Sequence, residues 1–241
     1  MVSSSLQDYA SYLARYLGGH SVCALKEFPI PPTARDVVVA VPGFIQIGEA
    51  PYVFGFARQL ERRGIYLTAP RIPPLQDLRR TAEQVSEFIG NIPDHVQRIV
   101  LLGDSMGGLI SRYVVQTDDV RGRVNALICV STPHYGTPVI DELVRWIPYG
   151  NDLVRRVPCL RQMIPGSDFL EDLNKDPDFG DTRVENLFGD SDALVPIESA
   201  RFRNNGNGSR VNNRRVVKGA SHLSILYHRR LYRLVRECFE D

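Results

Sequence analysis

Residues 98–109 read RIVLLGDSMGGL, and this stretch decides the fold. Residues 98–102 form a short apolar run rich in β-branched side chains, which is typical of a buried strand. The pattern G-x-S-x-G follows at residues 103–107 and leads into a helical period over residues 106–116. Such a turn holds the serine above the sheet edge, and the N–H groups of the helix N-terminus face an oxyanion formed there. The stretch therefore predicts Ser105 as a nucleophile.

Strands and helices alternate on both sides of this turn. Short apolar runs predict strands at residues 37–41, 65–68, 99–102, 126–131, 184–188 and 215–217. Helical periods predict helices at residues 52–63, 77–89, 106–116 and 223–239. This alternation predicts an α/β protein with a mostly parallel sheet and helices on both of its faces.

Three further regions complete the predicted organisation of one domain over residues 1–241. Residues 6–17 predict an N-terminal helix, and residues 21–26 an edge strand. Residues 137–181 have an amphipathic helical pattern and no strand signal, which predicts a helical cap or lid inserted in the domain. Residues 203–215 are rich in Asn, Gly and Arg and predict an exposed loop.

Composition excludes several classes of protein. The 241 residues include 29 Lys and Arg against 28 Asp and Glu, and this net charge of +1 gives no electrostatic case for nucleic acid as the main partner. No apolar run approaches the ~20 residues that cross a bilayer, and the N-terminus lacks a signal-peptide pattern, so we predict a cytoplasmic protein. The four cysteines are widely spaced and predict buried, reduced thiols and no zinc site.

A nucleophilic serine needs a base, which follows the serine in the order serine, acid, histidine. Of the five histidines, three follow Ser105: His134, His222 and His228. His222 comes just after a predicted strand, opens the predicted last helix and is preferred. His228 falls inside that helix as a surface residue, and His134 could line the site.

The acid is predicted after the strand at residues 184–188. Asp190 and Asp192 both lie near the end of that strand, where a buried carboxylate could orient the imidazole. Asp192 is preferred, and Asp190 is the alternative.

Two backbone N–H groups are predicted to stabilise the oxyanion. One is that of Met106, directly after the nucleophile, and the other that of Phe44, in the loop after the first predicted strand. Gly43 would permit close backbone approach there. Alternatively, Gly43 only turns the chain and Phe44 only packs.

Six segments resemble the lipase branch of the α/β-hydrolase superfamily, in the order and spacing typical of a compact bacterial-type triacylglycerol lipase or esterase. They are VPGF (41–44), GDSMGG (103–108), STPHYGTP (131–138), PGSDFLEDLN (165–174), FGDSDALVP (188–196) and GASHLSIL (219–226). The resemblance implies a triad of Ser105, Asp192 and His222, oxyanion donors at Phe44 and Met106, and a lid after the third segment.

The chain departs from the commoner family pattern at two positions. Pro42 stands where His usually precedes Gly43, and Asp104 where His often precedes the nucleophile. Some relatives bind calcium through an acid shortly after the catalytic histidine, but His222 is followed by Leu, Ser, Ile and Leu. We therefore expect no metal and no cofactor.

The expected function is that of a serine hydrolase which cleaves carboxylic esters of acyl or lipid substrates through an acyl-enzyme. Candidate substrate contacts are His134, Trp146, Met163 and Ile164, although the apolar ones could equally pack the cap onto the body. A thioesterase, amidase or acyltransferase would use the same triad, and a non-catalytic interaction module is the alternative from another class. The expected partner is a small ester or lipid, with transient contact with lipid surfaces and none with nucleic acid.

Overall fold

The computed structural model describes residues 30–44, 57–73, 75–117, 119–140, 150–203, 211–215 and 218–240. Three sequence predictions fall outside these residues: the N-terminal helix at 6–17, the edge strand at 21–26 and the substrate contact at Trp146. Of the helix predicted at 52–63, residues 57–63 are described: 57–61 are helical, and 62–63 form a turn.

Within the described residues, six parallel strands form one sheet in the order β2-β1-β3-β4-β5-β6. The strands are β1 (Asp36–Val41), β2 (Ile65–Thr68), β3 (Arg98–Asp104), β4 (Val124–Val130), β5 (Arg183–Phe188) and β6 (Val211–Arg215). The predicted parallel α/β sheet is confirmed. The apolar runs arise because both faces of the sheet are covered, so that successive residues of β1 are all buried from Val37 onward.

The sixth strand begins earlier in the chain than the strand predicted at 215–217 and includes the end of the loop predicted at 203–215, since β6 pairs Val211 with Val184 and Arg215 with Phe188. The rest of these two predictions, at residues 204–210 and 216–217, lies outside the described residues. Hydrogen bonds hold this polar strand: Asn186 Nδ2 donates to Asn213 Oδ1 at 2.9 Å, and Asn213 Nδ2 donates to the carbonyl oxygen of Phe202 at 3.1 Å. An apolar pattern cannot reveal a strand that is held in this way.

Helices cover both faces of the sheet. They are α1 (Leu78–Gly90), α2 (Met106–Thr117), α3 (Gly150–Arg156), α4 (Pro158–Gln162), α5 (Asp168–Lys175), α6 (Ile197–Ala200) and α7 (Arg229–Glu237), with 3₁₀ turns at Asp119–Arg123 and Ser224–Tyr227. Val37 and Val39 pack with α1 and α2, whereas Val38 and Ala40 pack with α7 and Leu60. Among the described residues, none of the helices is both long and apolar enough to cross a bilayer.

The second half of the predicted cap packs into the body of the protein. Cys159, Leu160, Phe169 and Leu173 are buried in the same core as α1 and α2. The side chain of Gln162 accepts a 2.8 Å hydrogen bond from the backbone N–H of Leu78 at the start of α1. Buried side chains and this hydrogen bond therefore fix this part of the insertion against the body.

The chain after the sheet does not form the single helix predicted over residues 223–239. A 3₁₀ turn at Ser224–Tyr227 comes first, and α7 starts only at Arg229. Between them His228 is extended, and its Nδ1 accepts a hydrogen bond from the N–H of Arg230 at 3.2 Å. His228 is therefore the N-cap of α7, because a side-chain acceptor satisfies an N–H group that has no partner within the helix.

The described cysteines are buried, as predicted. Cys129, Cys159 and Cys238 form no disulfide, and burial raises the pKa of the Cys129 and Cys159 thiols to about 12. Both thiols therefore stay protonated at neutral pH and behave as small apolar side chains.

Candidate active site

Ser105 occupies the turn between β3 and α2. Its φ angle is 50°, a left-handed conformation that costs a residue other than glycine about 1 to 3 kcal/mol. Two backbone hydrogen bonds hold the turn. The N–H of Ser105 donates to the carbonyl oxygen of Val130 at 2.8 Å, and the N–H of Gly108 donates to the carbonyl oxygen of Ser105 at 3.0 Å. Ser105 lines a cleft at the carboxyl edge of the sheet.

The glycines around Ser105 leave no room for side chains. A Cβ atom on Gly103 would lie 2.5 Å from the carbonyl oxygen of Gly107, and one on Gly108 would lie 1.8 Å from the Thr132 hydroxyl oxygen. A Cβ on Gly107 would lie 2.0 Å from the carbonyl oxygen of Val41. The glycines thus bring the start of α2 into contact with β1 and with the loop after β4.

Gly107→Ala is expected to destabilise the fold by about 3 kcal/mol, because the new methyl group meets backbone atoms of β1 that cannot move aside cheaply. Gly90→Ala is the matched control: nothing lies within 4 Å of its Cβ position, and alanine in place of this helical glycine should stabilise by up to about 1 kcal/mol. Urea denaturation measures both values. A Gly107→Ala protein as stable as the wild type would show that α2 does not pack on β1 this closely.

His222 and Asp192 form a hydrogen-bonded pair beside the cleft. His222 Nδ1 lies 2.8 Å from Asp192 Oδ2, and the other carboxylate oxygen accepts the N–H groups of Leu194 and Val195, each at 2.9 Å. A carboxylate can only accept, so Nδ1 carries the proton and Nε2 of the neutral ring is left as an acceptor. The Asp192 side chain is 1% exposed and that of His222 14%.

The environment of Asp192 keeps its carboxylate ionised. Burial works to raise the pKa of this carboxyl, but the hydrogen bond to His222, the charge of His222 and the N–H groups of Val195 and Leu194 outweigh burial and hold the pKa below its usual value. The Asp192 carboxylate therefore remains a hydrogen-bond acceptor toward His222 Nδ1.

Asp190, the alternative acid, makes a different contact. Its Oδ1 accepts the N–H of Gly219 at 2.7 Å and the hydroxyl of Ser191 at 3.3 Å. Asp190 therefore braces the loop that leads to His222, while Asp192 holds the imidazole.

The two expected oxyanion donors belong to segments that adjoin Ser105. Met106 is the first residue of α2, where backbone N–H groups lack partners within the helix. A Cβ atom on Gly43 would lie 3.2 Å from the Ser105 Cβ, so the loop that carries Phe44 runs directly against the serine. Phe44 itself lines the cleft.

The cleft between these groups is mostly apolar. Its volume is about 470 Å³, which includes the part open to solvent. The lining residues include Ser105, His222, Phe44, Ile140, Leu160, Met163, Leu194 and Val195. Of the two predicted substrate contacts Met163 and Ile164, Met163 lines the cleft, whereas Ile164 is half-buried against the core and is not among the lining residues. Leu194 and Val195 were not predicted as cleft residues, although their position shortly after the predicted acid Asp192 could have placed them beside the site.

His134 does not line this cleft. Its ring is fully buried, with Nδ1 3.1 Å from Arg112 Nη1 and Nε2 3.1 Å from Asn186 Oδ1. A guanidinium can only donate, so Nδ1 is the acceptor and Nε2 carries the proton. His134 was predicted to contact substrate. Instead, its ring links α2 to β5, because both ring nitrogens are hydrogen-bonded within the protein.

Arg112 is a buried cation held by neutral acceptors. The carbonyl oxygen of Leu173 and Asn174 Oδ1 each accept at 3.1 Å, Gln116 Oε1 accepts at 3.2 Å, and the guanidinium lies 4.3 Å from the centre of the Phe202 ring. Burial lowers the pKa of Arg112 to about 10, so the guanidinium remains charged at neutral pH. Burial and the Arg112 charge in turn hold the pKa of His134 well below 6.5.

Stability is expected to fall as the pH drops from 7.5 to 5, with His134 contributing up to about 2 kcal/mol of the loss. The unfolded chain protonates the residue near pH 6.5, whereas burial and the Arg112 charge shift its protonation in the folded chain to lower pH, so acid favours unfolding. His134→Gln keeps an acceptor and a donor but cannot titrate; it should be less stable at pH 7.5 and should lose that part of the pH dependence. Parallel curves of unfolding free energy against pH for the two proteins would contradict a buried neutral His134.

Known proteins resemble parts of this chain in sequence. A family described as "PGAP1-like alpha/beta domain" matches residues 76–147. A triacylglycerol lipase of Pseudomonas fragi is 30% identical over 103 residues, which are 42% of this chain and 34% of that lipase. The chain thus aligns with about a third of the length of this curated relative.

Solved structures resemble nearly the whole chain. The mature form of the Bacillus licheniformis lipase BlEst2 superposes with a TM-score of 0.67 at 16% identity, covering 91% of this chain and 98% of that one. The type II thioesterase BorB from the borrelidin biosynthetic cluster has a TM-score of 0.59 at 19% identity, covering 92% and 98%.

Proposed function

We propose, from the premise that this chain has the α/β-hydrolase fold and is similar to lipases and esterases, that it is a serine hydrolase of carboxylic esters. One observation carries the proposal. The 2.8 Å pair of His222 and Asp192 borders the same apolar cleft as Ser105, which occupies a strained turn and lines that cleft. A nucleophile, a base and an acid that orients the base are the parts that acyl transfer needs.

In the proposed reaction the Ser105 hydroxyl attacks the ester carbonyl carbon while His222 Nε2 takes its proton. Negative charge develops on the carbonyl oxygen, and this oxygen accepts hydrogen bonds from the N–H groups of Phe44 and Met106. His222 then protonates the departing alcohol, which leaves the acyl group on Ser105. His222 then deprotonates a water molecule, which attacks the acyl carbon. The bond to Ser105 breaks, His222 returns the proton to the serine oxygen, and the carboxylic acid leaves.

Asp192 acts in this scheme through His222. Its charge stabilises the imidazolium formed at each proton transfer and keeps the proton of the resting ring on Nδ1. The backbone N–H groups of Leu194 and Val195 support this role, because they favour the ionised carboxylate without competing for His222.

The cleft favours an apolar acyl group. Its lining among the described residues contains no Asp, Glu, Lys or Arg side chain. Ile140, Leu160 and Met163 from the predicted cap contribute to that lining, which supports the prediction that residues 137–181 cover the acyl chain.

A thioesterase is the second candidate, favoured by the similarity in fold to BorB across 92% of this chain. The triad attacks the same carbonyl carbon in both reactions, so the leaving group makes the difference. A panel of p-nitrophenyl esters and acyl-thioesters with matched acyl chains separates the two functions by the ratio of kcat/KM values.

Labelling with a fluorophosphonate probe tests the proposal most directly. An activated serine displaces fluoride from the probe, so we expect covalent modification at Ser105 together with hydrolysis of p-nitrophenyl esters. A folded protein that neither reacts with the probe nor cleaves any ester or thioester of the panel would instead be a non-catalytic interaction module.

A further inference from the structure

A row of hydrogen-bonded polar side chains runs from α2 to β6. Arg112 Nη1 donates to His134 Nδ1 at 3.1 Å, and His134 Nε2 donates to Asn186 Oδ1 at 3.1 Å. Asn186 Nδ2 then donates to Asn213 Oδ1 at 2.9 Å. Arg112, His134 and Asn186 are fully buried, and Asn213 is half-buried. These four side chains are here named the polar row.

Arg112 sets the direction of each hydrogen bond in the polar row. A guanidinium can only donate, so His134 accepts at Nδ1 and donates at Nε2. Asn186 therefore accepts through its oxygen and donates through its nitrogen. The same polarity reaches Asn213, whose Oδ1 accepts and whose Nδ2 donates to the carbonyl oxygen of Phe202 at 3.1 Å.

The polar row fixes geometry more than it adds stability. Burial of polar side chains costs desolvation free energy, which their hydrogen bonds only roughly offset. Each side-chain nitrogen and oxygen of His134, Asn186 and Asn213 nevertheless has a partner. A buried network that is satisfied in this way holds the elements that it joins in one arrangement.

The joined elements are the three that lead to the candidate triad. Each of them contributes one side chain to the polar row and adjoins one member of the triad: α2 carries Arg112 and follows Ser105, β5 carries Asn186 and precedes Asp192, and β6 carries Asn213 and precedes His222. The polar row therefore sets the relative positions of the nucleophile, the acid and the base at their points of attachment to the sheet.

The register of β6 needs such a device. Within the described residues β6 is the last strand of the sheet, and its sequence VNNRR lacks the alternation of apolar and polar side chains that specifies which face is buried. Asn186 and Asn213 lie directly opposite each other, so their hydrogen bond selects this pairing. A slip by one residue would displace the strand by about 3.3 Å.

The pairing of the two strands continues into the loops that carry the acid and the base. The N–H of Ser191 donates to the carbonyl oxygen of Ala220 at 3.1 Å, two residues before His222. His222 Nδ1 and Asp192 Oδ2 lie 2.8 Å apart. Since a hydrogen bond tolerates a change of only a few tenths of an ångström, even a partial shift of β6 would weaken this contact.

We propose that the polar row positions His222 against Asp192, with Asn213 as the positioning residue that fixes the register of β6. This inference rests on the proposed function, because it assigns a further role in the same reaction. Asn213 is not among the residues that line the cleft, so it acts through His222. Its loss should therefore lower kcat and leave KM nearly unchanged.

Proton magnetic resonance tests the position of His222 without any turnover. A ring N–H that is hydrogen-bonded inside the protein exchanges slowly with water, so the wild type should show one resonance for His222 Nδ1 and one for His134 Nε2. His222→Gln and His134→Gln assign the two signals. In Asn213→Ala the His222 resonance should disappear, while that of His134 should persist because Asn186 Oδ1 still accepts it.

Steady-state kinetics on p-nitrophenyl butyrate measures the consequence for the reaction. Asn213→Ala should lower kcat by about 10-fold to 10²-fold, the cost of misplacing a catalytic group by about 1 Å, and change KM by less than about twofold. Asn212→Ala is the matched control. Asn212 is the neighbouring asparagine of β6, but its side chain is exposed and donates to Glu185 at 3.0 Å, outside the polar row. This control should keep kcat within about twofold of the wild type.

Asn213→Asp is the conservative variant. It keeps the oxygen that accepts the N–H groups of Asn186 and Phe202 and loses only the donor, so it should retain more of kcat than Asn213→Ala and keep the His222 resonance. If Asn213→Ala also loses the His134 resonance, the row has collapsed and Asn213→Asp decides. Its loss of the His222 resonance while that of His134 remains would contradict the proposal.

Two further results would overturn the positioning role. One is a folded Asn213→Ala protein with the kcat and the His222 resonance of the wild type. The other is an equal loss of kcat in Asn212→Ala, because any polar side chain removed from β6 would then have the same effect. A wild type that hydrolyses no ester would instead defeat the proposed function, and the resonances of His222 and His134 would still test the positions.

Discussion

Ser105→Ala is expected to lower kcat for ester hydrolysis by about 10⁴-fold to 10⁶-fold and to abolish fluorophosphonate labelling. The loss is this large because the proposed acyl-enzyme cannot form without the hydroxyl, so the contributions of His222 and Asp192 are lost with it. Stability should change by less than about 1 kcal/mol, since alanine meets the same left-handed backbone as serine and only one oxygen of a half-buried residue is removed.

Steady-state kinetics on p-nitrophenyl butyrate and urea denaturation of the same preparation measure both parts of this result. Ser191→Ala is the control, because Ser191 is an exposed serine in the loop that carries the acid and its hydroxyl contacts only Asp190 among the contacts described above. It should retain turnover and labelling. Near-normal turnover of Ser105→Ala would show that another residue attacks the substrate.

Asp192→Asn is expected to lower kcat/KM by about 10⁴-fold with little change in fold. The amide can donate its N–H to His222 Nδ1, which would leave the ring proton on Nε2, where the base must be free to accept. Asp190→Asn makes the same chemical change two residues earlier. It should cost less than about tenfold, because Asp190 contacts Gly219 and not the imidazole.

Comparing these two variants with one dissolved ester identifies the acid directly. Measuring kcat and KM separately adds a second criterion, since the wrong tautomer should lower kcat and leave substrate affinity nearly unchanged. A greater loss in Asp190→Asn than in Asp192→Asn would contradict the pairing of Asp192 with His222 during the reaction.

Much of the fold follows from local features of the sequence. The apolar runs of β1 to β5 predict buried strands because both faces of a parallel sheet are covered, and the alternation with helical periods predicts the layers. The glycines around Ser105 predict the tight turn because a residue without a Cβ atom tolerates the backbone conformation and close approach that such a turn needs. Each of these features depends on residues that are close together in the chain.

The candidate site depends more on tertiary structure. Asp190 and Asp192 are two residues apart in one loop, and only contacts with the segment around His222, about 30 residues later, distinguish the two carboxylates. His134 follows a strand as a cleft residue would, yet the ring turns into the core because Arg112 and Asn186 satisfy both nitrogens there. β6 forms from a polar stretch because Asn186 and Phe202 supply its hydrogen-bond partners.

By itself, the sequence determined the parallel α/β architecture, the turn that presents Ser105 and the segments from which a base and an acid would come. Tertiary structure alone decided which carboxylate meets His222, which apolar side chains line the cleft and that His134 is buried. The physical reason is the range of the interactions. Strand burial and tight turns are governed by neighbours within a few residues, whereas the direction of a side chain in an irregular loop is set by hydrogen bonds to distant parts of the chain.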